Sequence, residues 1–175
     1  MTECRIPLRH KDGSIRAYTV VDADVFDRLG HLRWCLSHQG YVHRHAPKGQ
    51  YPRKIWLHRE VLGLGPRKSD PREGDHQHGD KLDNRRASLR IVTPAENAQN
   101  RIGQDRRNKS GYRGVSWHKR EQRWIAQATI RGRLHHIGAF ISREEAGRAA
   151  AAFRAAHMPF SQEAQAPGAG VSSAA

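Results

Sequence analysis

The chain has 175 residues and a formal charge of +14, from 31 Lys+Arg against 17 Asp+Glu, with a pI near 10.8. That length suits one ordinary domain or two small ones, and no segment approaches the roughly 20 consecutive apolar residues of a membrane span. The two cysteines, Cys4 and Cys35, form no C-x-x-C pair, which excludes a structural zinc site of the four-cysteine kind and argues against a disulfide framework.

A charge of this size speaks of partners rather than of fold. Nucleic acid is the first candidate, because neutralised phosphates release counterions and so drive binding. A membrane surface ranks second. The N-terminal "MTECRIPLRHKDG" has no apolar run of the signal-peptide kind, so a cytoplasmic chain is expected. Any bound metal must use His, Asp, Glu or Asn.

Residues 4–58 read as short strands with one helix. "RIPL" and "IRAYTVV" flank the turn "HKDG" as a hairpin. "DADVFDRL" opens with an aspartate suited to cap a helix that carries Val25, Phe26 and Leu29 on one side. "RWCLS" and "YVHRHA" predict a second hairpin, and "YPRKIWLH" a further strand.

From His58 the composition changes. "HREVLGL" predicts a short helix stopped by Gly63 and Gly65, and a polar loop leads into "GDHQHGDKLDNRR". "LRIVT" follows as a strand. "TPAENAQNRIGQ" starts a helix, with Thr93 at the N-cap, Pro94 in the first position and Glu96 closing a capping box. The order is strand, hairpin loop, strand, helix. It carries Asn97, and further along Asn100, over the strand of Asp75. An aspartate and an asparagine offer hard oxygen ligands that suit Mg²⁺ or Mn²⁺ better than zinc. His76, next to Asp75 but on the opposite side of the strand, can act as a general base on water. A polar hairpin on a basic protein is the plain alternative. His78 is expected in solvent.

"LHREVLG" and "DHQHGDKLDNRRASLRIVTPAENAQN" resemble the HNH endonucleases of the phage and homing type, without a gap from Asp75 to Asn100. The resemblance implies a ββα-metal core (the His-Me finger). In it His76 is the general base and Asp75 and Asn97 bind one divalent metal, most simply Mg²⁺, with Mn²⁺ also suitable. His58 matches a family position, although packing or capping would equally explain it. The family usually places asparagine before "LR" to tie the hairpin loop and hold the histidine. Here that residue is Ser88, and its single hydroxyl can make only part of the network. Asn84, in the hairpin, matches another recurrent position and can share the role. Arg85 and Arg86 compete between phosphate contacts and a solvated pair. Residues 1–57 resemble the β-rich extension often joined to this core.

Residues 109–157 form a second unit. "YRGVSWHK", "RWIAQATIRG" and "RLHHIGAF" predict three strands. "SREEAGRAAAAFRAAH" predicts a helix opened by a capping box from Ser142 to Glu145, with small packing residues near Ala149, Ala152 and Phe153. "YRGV", the tryptophan and alanine of "RWIAQA", "IGAF" and the alanine-rich helix resemble the Apetala-two/ERF DNA-binding domain. In that family a three-stranded antiparallel sheet lies in the major groove with the helix behind it. Alternation then puts Arg113, Trp117, Lys119, Arg123, Gln127, Thr129 and Arg131 on one basic face, arginines suiting guanine edges and the others phosphates. Trp124 is expected in the core. Family arginine positions are replaced by Ser116, His118 and Thr129, so base specificity does not transfer.

The expected fold is therefore α+β: an N-terminal β-rich extension (1–57), an HNH ββα-metal nuclease core (58–107), an Apetala-two/ERF-type domain (108–160) and a disordered tail (161–175), with a linker at 106–111. The expected function is a metal-dependent endonuclease acting on double-stranded DNA, with no small-molecule cofactor. The alternatives are a DNA-binding protein whose nuclease core has lapsed and an RNA-directed version of the same chemistry.

Overall fold

The computed structural model of the chain describes residues 3–100 and 108–165. It is α+β, built from small antiparallel sheets and short helices. None of the described helices is long and apolar enough to cross a membrane. The chain divides into two units, Met1–Asn97 and Ala98–Ala175.

In the first unit, β1 (Cys4–Arg9) and β2 (Ile15–Val21) form the predicted hairpin, and α1 (Ala23–Leu29) follows. The turn closes at Gly13, whose φ of +92° favours glycine. β3 (Cys35–Leu36), β4 (Val42–His45) and β5 (Lys54–Trp56) make a three-stranded sheet in that order. α2 (Leu57–Val61) ends before Gly63, which takes the left-handed φ of +65° that stops a helix. β6 (Glu73–His76) and β7 (Leu89–Val92) then pair, and α3 (Pro94–Asn97) follows. The capping box is present. Thr93 N donates to Glu96 Oε2 at 2.7 Å, and Glu96 N to Thr93 Oγ1 at 3.3 Å.

A single apolar core joins the two halves of this unit: Ile6, Leu8, Val21, Val25, Trp34 and Val42 pack with Leu57, Val61 and Leu89. The β6–β7 connection also bonds to the edge of β2, with Val20 N donating to Leu82 O at 2.9 Å and Asn84 N to Val20 O at 2.8 Å. Two expectations fail at α1. Asp22 makes no side-chain cap, because its carboxylate accepts the Arg86 backbone N–H at 2.9 Å instead. Phe26 stays 36% exposed, since the buried stripe is Val25 and Leu29.

In the second unit, β8 (Val115–His118), β9 (Arg123–Ile130) and β10 (Arg133–Phe140) form a sheet with β9 central, and α4 (Arg143–His157) contributes to its core. Ser142 caps α4 by accepting Glu145 N at 3.1 Å. The face turned to the core is Ala146, Gly147, Ala150 and Arg154, not the expected Ala149, Ala152 and Phe153. An i, i+4, i+8 stripe centred on Ala150 is what lets the helix approach Val115 and Ala126. The tail also departs from expectation at its start: Ser161 is fully buried and Gln162–Gln165 form a helical turn, α5. The cause is Arg154, whose buried guanidinium donates to Glu163 Oε1 at 2.7 Å. The rest of the tail, residues 166–175, lies outside the described residues, as do 101–107. The start of the expected linker falls in that second gap, and the helix expected from Thr93 is, among the described residues, α-helical only over Pro94–Asn97, with a 3-10 turn over Ala98–Asn100. Residues 108–111 form a bonded loop in which Asn108 Nδ2 donates to Tyr112 O at 2.8 Å.

Candidate active site

The four residues of β6 alternate between two faces. Cross-strand pairing puts Asp75 with Arg90 and His76 with Leu89, and directly opposed residues share a face. Glu73 and Asp75 therefore lie on one side, Gly74 and His76 on the other, as expected for His76.

On the His76 side, Leu89 belongs to the core and His76 is buried with it. Asn84 is only 1% exposed. Its Oδ1 meets His76 Nε2 at 3.3 Å, while its Nδ2 donates to Thr19 Oγ1 at 2.9 Å and to Lys81 O at 3.1 Å. Asn84 thus ties the histidine to both the connecting loop and β2, the role that Ser88 does not fill. Ser88 Oγ donates to Asp83 Oδ2 at 2.6 Å, holding the loop together rather than the imidazole. His58 packs on this side, its ring edge-on to that of His76 at 5.4 Å and tilted against that of Tyr41 at 5.7 Å. Gly74 permits the approach, for a Cβ there would stand 2.8 Å from His58 Cδ2. His58 Nδ1 is buried without a partner.

Burial lowers the pKa of His76, against the opposing pull of its bond to Asn84 and the charges of Asp75, Asp80 and Asp83. Burial also pushes His58 down from 6.5 to about 3, helped by His76 and Arg59. Both shifts favour the neutral ring. That is the state a general base requires.

On the other side, Asp75 Oδ2 accepts from Arg90 Nε at 2.8 Å and Nη2 at 2.7 Å. Asn97, from the first turn of α3, donates Nδ2 to Glu73 Oε2 at 2.6 Å. The amide nitrogen therefore faces Glu73, and the oxygen branch is the one with ligand chemistry. Asp75, Glu73 and Asn97 are hard-oxygen donors of the kind Mg²⁺ takes, but Arg90 is paired with Asp75 and Arg67 with Glu73. Among the described residues no group of three or more His, Cys, Asp or Glu has metal-binding geometry. A cleft of about 640 Å³, lined by Tyr41, Trp56, His58, Arg67, Glu73 and Asn97 among others, opens beside this set. Asp75 and His76 are not among its lining residues.

Other expected site residues are placed differently. Arg85 pairs with Asp83 at 2.6 Å and with Glu3 at 3.2 Å, and Arg86 pairs with Asp24 at 2.6 Å. Both guanidiniums are ion-paired within the fold while remaining 39% and 47% exposed. Asn100 groups with the second unit, where its Oδ1 accepts from Gln162. His78 is exposed, as expected.

In the second unit, pairing assigns the faces of the sheet. Val115 opposes Ala126 and Trp117 opposes Trp124, so both tryptophans lie on the side of the apolar core, their rings 5.0 Å apart. Trp124 packs against that core, as expected, whereas Trp117 does not share a face with Arg123. The face away from the core carries Ser116, His118, Arg123, Gln127, Thr129 and, on β10, His136. Lys119 and Arg131 are exposed in the two turns. Arg113 is used internally, donating to Gln99 O at 2.9 Å and Ala98 O at 3.3 Å.

Four contributors had not been singled out. Glu73 could have been found from its period-two spacing to Asp75, and Arg90 from its place in the opposing strand. Thr19 and Tyr41 carry no local signal, since only the tertiary fold brings them to His76.

No protein-family profile matches the chain, and no solved structure matches it. It is similar to Protein 3.8 of Escherichia phage T7, with 34% identity over 63 residues. The matched region takes in 36% of this chain and 51% of that protein, so the chain spans about half the length of the relative it matches.

Proposed function

We propose that the protein is a metal-dependent endonuclease of DNA, with β6, β7 and α3 as a ββα-metal core of the HNH kind and the β8–β10 sheet as a DNA-binding face. The observation that carries this reading is the pairing of a buried His76, fixed by Asn84, with an adjacent Asp75 whose face also holds Asn97. His76 takes a proton from water, which attacks phosphorus in line with the departing oxygen. Asn84 keeps the imidazole in place through that transfer. Asp75 and Asn97 would hold Mg²⁺, which when bound supplies positive charge to the scissile phosphate and the leaving oxygen. Arg123, Lys119 and Arg131 add phosphate contacts, and two linked modules raise the effective concentration of DNA at the core. Similarity to a phage T7 protein agrees with a phage setting.

The contact of two Arg90 nitrogens with Asp75 Oδ2 favours a second reading, a DNA-binding protein whose nuclease core has lapsed, since a guanidinium already neutralises the would-be ligand. A supercoiled-plasmid assay with and without Mg²⁺ separates the two. Conversion to open-circle or linear DNA by the parent, and none by His76→Ala, supports the nuclease. If both proteins retard the plasmid without cutting it under Mg²⁺ or Mn²⁺, the binding-only reading stands.

A further inference from the structure

We infer that Thr19, on the N-terminal hairpin, is a positioning residue that sets the tautomer of His76. The argument is one of hydrogen-bond direction. Thr19 is fully buried on β2. Its hydroxyl donates to Leu82 O at 2.7 Å, a partner that can only accept. With its single proton spent there, Thr19 Oγ1 must accept from Asn84 at 2.9 Å. Lys81 O, 3.1 Å from the same Asn84 nitrogen, is likewise an acceptor and demands an N–H. Two acceptors on that branch fix it as the amide NH₂, so Oδ1 is the atom that faces His76 Nε2 at 3.3 Å. A carbonyl oxygen there requires Nε2 to carry the proton. Nδ1 then carries the lone pair and is the basic nitrogen.

The sequence Leu82 O, Thr19, Asn84, His76 is thus a directed relay with no freedom to reverse, because its far end is a backbone carbonyl. Without the hydroxyl, one of the acceptors that orient Asn84 is gone, and the amide can turn its NH₂ toward Nε2 and favour the opposite tautomer. The catalytic consequence rests on the nuclease reading; the tautomer does not.

The test is long-range ¹H–¹⁵N NMR on the full chain with labelled histidine at neutral pH, the His76 signals being assigned by their loss in His76→Ala. The parent should show His76 protonated at Nε2. Thr19→Val, close in shape but without the hydroxyl, should shift the population toward Nδ1–H, and Thr19→Ser should restore the parent pattern. Where DNA is cut, Thr19→Val should lower kcat by about 10²-fold with KM unchanged, and Thr19→Ser should recover it. If Thr19→Val does not fold, Thr19→Cys takes its place, a thiol being a weak acceptor. An Nδ1–H parent, or a parent-like tautomer in the folded Val or Cys variant, overturns the assignment whether or not the protein cuts DNA.

Discussion

His58 is buried beside His76 with an unpartnered Nδ1, and burial pushes its pKa down to about 3. In the unfolded chain the same ring titrates near 6.5. Between those values the unfolded chain binds a proton that the folded chain refuses, so stability falls as pH falls through 6.5 and continues to fall until about 3. The limiting slope is about 1.4 kcal/mol per pH unit, and the loss from pH 8 to pH 5 comes to about 2 kcal/mol. His58→Phe removes the titrating group while keeping a ring against Gly74 and Tyr41. It should lie within about 1 kcal/mol of the parent at pH 8 and be the more stable protein at pH 5. Hydrogen exchange of the β2 and β4 amides, measured at both pH values, reports the N-terminal unit by itself. Parallel losses in parent and variant would refute the reasoning, because the difference between the two isolates His58 from every other titrating group.

Three more expectations follow from the contacts. Arg90→Gln leaves the Asp75 carboxylate, which is nearly inaccessible, without its cation and should destabilise the first unit by about 3 kcal/mol. Millimolar Mn²⁺ should return more of that loss to the variant than it adds to the parent, where Arg90 competes, and equal responses would argue against a cation at Asp75. Gly147→Ala sets about 1 kcal/mol of helix propensity against overpacking of roughly 1–3 kcal/mol. With the new Cβ 2.7 Å from Tyr112 Cγ the clash should win, so a rise in melting temperature would show that the ring swings away. Arg123→Gln should weaken DNA binding and reduce the salt slope by about 1. Arg113→Gln should instead lower stability through the Ala98 and Gln99 carbonyls, and the reverse outcome would reassign the two arginines.

Local features were legible in the sequence because short-range physics fixes them. The Thr93–Glu96 box, the Ser142 cap, the Gly63 stop and the β1–β2 turn each depend on residues within four positions of one another. Asn84 was legible through resemblance, and its place beside His76 agrees with that expectation. What could not be read depended on long-range geometry. Alternation along β8 cannot say which parity faces the helix, and Trp117 fell on the side opposite to the one expected once its register with Trp124 was set. Arg85, Arg86 and Arg113 look like phosphate ligands in a chain of charge +14, yet each finds an internal acceptor in the fold. Asp22 has the right residue type for a cap, but the Arg86 N–H, 64 residues away, competes for its carboxylate.

Residues 1–57 were expected as an extension, but they supply most of the core on which the candidate site rests. Ile6, Leu8, Val21, Val25, Trp34 and Val42 are each almost fully buried. At about 1.5–3 kcal/mol for each large apolar side chain, removing these six forfeits about 9–18 kcal/mol, as much as the roughly 5–15 kcal/mol that holds an entire domain folded. A fragment beginning at Leu57 would keep only Leu57, Val61 and Leu89 of that cluster, and would lose Thr19, the Asp22 and Asp24 partners of Arg86, and the β2 edge that the β6–β7 loop bonds to. It should therefore be unfolded by far-UV circular dichroism, with no protected amides in β6. A cooperatively melting fragment of residues 57–100 would mean that the strand–loop–strand–helix segment has a core of its own, and that β2 only buttresses His76 from outside.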